Sequence, residues 1–115
     1  MGLDMDVHVN IGTQEEPEFK EILYWRKQYS LQDWFGKLAI RKNLVRDLNG
    51  FNCIEVPLTV EDIQLLRNDL KNRNCPDFDY EENYNPGWIK RRLAECDEML
   101  KYLYLGKETK YDSSW

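Results

Sequence analysis

Leu3-Asp4-Met5-Asp6-Val7-His8-Val9-Asn10-Ile11 alternates apolar and polar residues without a break. Successive side chains on a strand point to opposite faces, so period two sustained over this stretch reads as a half-buried β-strand. Leu3, Met5, Val7, Val9 and Ile11 form its inner face, and Asp4, Asp6, His8 and Asn10 its outer face. Gly12 closes it.

Beyond Gly12 the pattern is less sharp. Thr13 and Glu16 stand at capping-box spacing, which favours a helix. The aromatic and Ile content around Tyr24-Trp25 favours a strand near residues 20–26, with Phe19, Leu23 and Trp25 on one face. We take the strand. Ser30 and Asp33 resemble a second capping box, and Leu31, Trp34, Phe35 and Leu38 follow at helical spacing, predicting a helix that runs on toward residues 42–45. Asn49-Gly50 is a turn dipeptide, and residues 51–56 read as a short strand stopped by Pro57. Thr59 opens another helix, with Glu61 and Asp62 in its first turn and Val60, Ile63, Leu66 and Leu70 as its stripe. Residues 73–87 are rich in Asn and Pro and read as a long loop. Ile89, Leu93, Cys96, Leu100 and Leu103 mark a last helix over about residues 87–105, with Gly106 as its C-cap. The tail, residues 111–115, is expected to dock as an edge strand or to stay mobile. The order predicts an α+β fold in one domain, residues 1–115: a small antiparallel sheet covered on one face by about three helices.

A chain of 115 residues with 42% hydrophobic and 32% charged side chains is globular in composition and fits a single core. Its net charge of -5 argues against general nucleic-acid binding. Cys53, Cys75 and Cys96 form no metal-type spacing, so they read as buried or half-buried free thiols of a reducing compartment. There is no apolar run of bilayer length and no basic-then-apolar leader, which points to a cytoplasmic protein that does not engage membranes.

Four clusters carry chemistry. Asp4, Asp6 and His8 share a strand face about 7 Å apart at alternate positions, and two carboxylates with an imidazole can ligate a divalent metal. Tyr24, Trp25, Arg26 and Lys27 join rings that can stack on a ligand to cations that can pair with phosphate. Lys90, Arg91 and Arg92 sit in the first turn of the last helix, where the macrodipole disfavours cations, so an anionic neighbour is expected, either the acidic loop just before them, Asp77 to Glu82, or a bound anion. Asp77, Phe78, Asp79, Tyr80 and Tyr84 make an acidic, aromatic loop suited to a protein partner. It begins like a calcium loop, but Glu82 and Trp88 occupy the positions that require Gly and Glu. No phosphate loop, nucleophile elbow or zinc-protease motif is present, so no catalytic residue is assigned and no cofactor is implied.

The opening Met1-Gly2-Leu3-Asp4-Met5, the run Tyr24-Trp25-Arg26-Lys27, Trp34-Phe35, and Asn52-Cys53 together resemble a family of small, functionally uncharacterised proteins of bacteriophages and bacterial genomes. The resemblance covers roughly the first 70 residues. It departs at Asp6, where an aromatic is usual, and at Tyr29 and Gln32, where Asn and His are usual. The resemblance implies a phage-type accessory protein in the bacterial host cytoplasm, with counter-defence as one role. Joined to the clusters, it leads to an expected non-enzymatic binder of an anionic, nucleotide-like ligand through Tyr24, Trp25, Arg26, Lys27, Arg91 and Arg92. The alternative is an inhibitor or adaptor that grips a host protein with the acidic aromatic loop.

Overall fold

The computed structural model describes residues 2–75 and 86–115. These residues form strands β1 (Asp4–Asn10), β2 (Phe19–Arg26), β3 (Val56–Leu58) and β4 (Thr109–Ser114), and helices α1 (Tyr29–Arg41), α2 (Val60–Lys71) and α3 (Pro86–Tyr104). A 3-10 turn spans Leu48–Gly50. The sheet is antiparallel throughout, in the order β2-β1-β4-β3. The predicted α+β fold is the observed one.

Alternation in β1 holds from Leu3 to Val9, whose inward side chains are all buried. It fails at the end, where Asn10 is buried and Ile11 is 44% exposed. Asn10 is recruited by the following turn: its Oδ1 accepts from the backbone N–H of Gly12 and of Glu18, both at 2.9 Å. Gly12 is obligatory there, since a Cβ would lie 2.3 Å from the Glu16 carbonyl oxygen. Thr13 accepts the Glu16 N–H at 2.8 Å, as a capping residue would. No helix follows, because Pro17 lacks a donor and disfavours helical backbone at Glu16.

The stripe of α1 is buried as predicted, but its boundaries differ. Its N-cap is Gln28, with no side-chain cap bond, so Ser30 lies inside the helix and the predicted box is not used. Helical backbone stops at Arg41, and Asn43 adopts φ 61° soon after. Thr59 caps α2 and forms a capping box with Asp62, the two bonded reciprocally at 2.9 and 3.1 Å. The strand expected over residues 51–56 is displaced to Val56–Leu58, because Cys53 takes a left-handed φ of 58° that no strand continues through. Pro57 is tolerated inside β3 because β3 is an edge.

The tail is neither an edge nor loose. β4 runs between β1 and β3, with Thr109, Tyr111 and Ser113 buried. Tyr111 is fully enclosed, its ring stacked 3.9 Å from Phe35 and 6.1 Å from Phe51. Its hydroxyl donates to Gln32 Oε1, and burial pushes its ionisation far above the ordinary range. Cys75 and Cys96 are buried thiols pushed up to about 12 by desolvation, whereas Cys53 is exposed.

Phe35→Ala removes the ring on which Tyr111 stacks and is expected to cost about 3–5 kcal/mol. Ile11→Ala, at an exposed site, is expected to change stability by less than about 0.5 kcal/mol. Urea denaturation of both variants checks the placement of the core.

Candidate functional site

Strand parity decides which predicted residues meet. Trp25 lies opposite Met5 and points inward, 5% exposed, with ring centroids 6.2 Å from Phe35 and 6.5 Å from Tyr111. Its Nε1 donates to Glu95 Oε2 at 2.8 Å. Arg92 pairs with the other oxygen of the same carboxylate and lies 5.4 Å over the Trp88 ring. Burial lowers the Arg92 pKa, and Glu95 opposes that effect. The expectation that Trp25 and Arg92 reach an anionic ligand is therefore corrected. One ring is core, and the guanidinium is neutralised by Glu95, a residue the sequence reading did not single out.

Tyr24, Arg26 and Lys27 are exposed, and so is Arg91. The Tyr24 hydroxyl donates to Asp4 Oδ1 at 2.5 Å, and this bond raises the phenol pKa. Arg26 is the register partner of Asp4. Lys27 turns the chain with φ 55°, its N–H bonded to the Leu3 carbonyl at 2.9 Å. Tyr24 turns outward to Asp4, whereas Arg92 meets Glu95 on the side of the inward-facing Trp25. Asp77, Phe78, Asp79, Tyr80 and Tyr84 lie outside the described residues.

The outer sheet face does gather donors. Asp6 and His8 project from β1, and β2 carries a bulge at this level. Val7 pairs with Leu23 but His8 pairs with Glu21, so Ile22 is the extra residue. Ile22 and Leu23 both pack on the core, and parity past them is reset. Glu21 thus lies beside His8 on the outer face, and Phe19 sits under the Lys110 ammonium at 4.0 Å instead of sharing the face of Trp25. One ligand atom each from Asp6, His8 and Glu21 lies within 4.8 Å of the others. Asp4 is not in this set, since its carboxylate is engaged by Tyr24.

Asp112 of β4 stands directly opposite Asp6, and an oxygen of each is shielded from solvent without accepting a hydrogen bond. His8 Nδ1 is 3.0 Å from Asp6 Oδ1, at ion-pair distance but outside hydrogen-bonding geometry. Burial pushes the Asp6 carboxyl above the usual carboxylate range; His8 pulls it back, and Asp112, Glu21 and Asp4 push it further. The arrangement concentrates negative charge around one imidazole. Chemically it can take a cation with mixed nitrogen and oxygen donors.

Compared with protein-family models, curated proteins and solved structures, the chain matches none. No helix among the described residues is long and apolar enough to cross a membrane.

Like charges facing across a strand pair destabilise the fold, so Asp112→Asn is expected to stabilise metal-free protein at pH 7 by roughly 0.5 kcal/mol. An acid whose folded pKa is raised resists ionisation in the native state, and stability falls as pH rises through that pKa. The gain from Asp112→Asn is therefore present at neutral pH and shrinks as pH drops through the Asp6 titration. Thermal melts in chelator across pH 3–7 measure it.

Proposed function

We propose that this chain is a divalent-cation-binding protein whose site is the outer-face cluster of Asp6, His8 and Glu21. One observation carries the reading: donor atoms of an imidazole and two carboxylates from neighbouring strands lie within 4.8 Å of one another. Support comes from the opposed Asp6 and Asp112, whose repulsion a cation would relieve. The donor set is one nitrogen with carboxylate oxygens and no thiolate, which suits Mn²⁺ and Zn²⁺ better than a soft cation. Three protein donors leave coordination positions turned to solvent, open to water or to a ligand oxygen.

A ligand that binds only the folded state at 100 times its dissociation constant stabilises by about 2.7 kcal/mol. Excess Mn²⁺ is thus expected to raise the melting temperature of the wild-type protein by several degrees, reversibly with EDTA. His8→Ala and Glu21→Gln, both on the wet face, are expected to fold and to weaken Mn²⁺ binding at least about tenfold, roughly 1.4 kcal/mol. A melting temperature indifferent to Mn²⁺, or a full shift in the doubly substituted protein, overturns the reading.

A further inference from the structure

The cations at the start of α3 are only partly explained by Glu95. Arg92 is paired internally, but Lys90 faces the other way, onto a groove of about 520 Å³ between the end of α2 and the start of α3. Lys71 and Arg73 line the same groove, and its apolar floor includes Ile89 and Leu93. Among the described residues, Lys71 and Lys90 make no ion pair. Among the described lining residues the one carboxylate, Asp97, is bonded to Arg67 Nε at 2.9 Å.

The two helix ends contribute little net field here. α2 brings its C-terminus and α3 its N-terminus, whose partial charges of about half a unit have opposite sign. The side chains therefore set the local charge, and among the described lining residues the cations Lys71, Arg73 and Lys90 outnumber the carboxylate Asp97. The groove has the size of a small-molecule site, commonly about 300–1,000 Å³. Its rim suits a phosphate and its floor suits a flat apolar ring. A nucleic-acid strand fits less well, because it would also meet the acidic remainder of the surface.

We infer that this groove binds a small organic phosphate of the nucleoside-phosphate class, phosphate on Lys71 and Lys90 and ring on Ile89 and Leu93. The site is separate from the sheet-face cluster and needs no cation there.

Calorimetry with ADP, adenosine and pyrophosphate, all in EDTA, tests this. ADP is expected to bind with a dissociation constant below about 100 µM, and adenosine and pyrophosphate each at least about tenfold more weakly. Lys71→Glu with Lys90→Glu is expected to weaken ADP at least about tenfold while circular dichroism and the melting temperature stay near wild type. If that pair unfolds the protein, Lys71→Gln with Lys90→Gln replaces it, with the same loss expected. No heat with ADP at about 1 mM, equal affinity in the substituted protein, or pyrophosphate as tight as ADP overturns the inference.

Discussion

One extra residue in β2 orders most of what this protein presents to solvent. Side-chain direction in a strand has period two, and an inserted residue reverses it for everything beyond. Before the bulge, Trp25 faces inward against Phe35 and Tyr111, while Tyr24 faces outward onto Asp4. At the bulge Ile22 and Leu23 both lean on the core, and beyond it Glu21 arrives beside His8. Without Ile22 as the extra residue, an apolar side chain would oppose His8, and the wet face of β1 would hold two acids and a lone imidazole. The core and the acidic cluster are thus two consequences of a single register.

Neutralisation divides the charged residues into those held by the fold and those left to solvent. Glu95 receives Trp25 Nε1 and Arg92, so it ties α3 to β2 and consumes a guanidinium. Lys42 spans the α2 capping box and the Pro57 carbonyl, at 2.6 and 2.7 Å. Two further charge clusters lie elsewhere on the fold. Carboxylates collect on the sheet face around Asp6, and cations collect at the α2–α3 groove around Lys71 and Lys90.

The regular parts of the fold were legible because their periods are strong. β1, α1, α2 and α3 each carry an uninterrupted apolar pattern, and Thr59 marks where α2 begins. β3 was misplaced because the left-handed turn at Cys53 leaves no compositional trace. β4 was undervalued for a different reason. Thr-Lys-Tyr-Asp-Ser-Ser has little hydrophobic content, and its one large anchor, Tyr111, is buried by rings from α1 and the turn after it. That misreading hid Asp112. Of the metal-type set, Asp6 and His8 followed from alternation, while Glu21 depended on a bulge that residue types do not encode. Trp25 was misread because a Trp-Arg-Lys run looks the same whether its indole faces solvent or core.

The convergence of Asp6, His8 and Glu21 on one cation is tested most directly by paramagnetic broadening. Substoichiometric Mn²⁺ is added to ¹⁵N-labelled protein, and amide signals are followed one by one. The account predicts that signals from residues 6–8, 20–22 and 111–113 disappear first while those of α2 persist. Selective loss at Glu61 and Asp62 instead, or no selective loss anywhere, contradicts it.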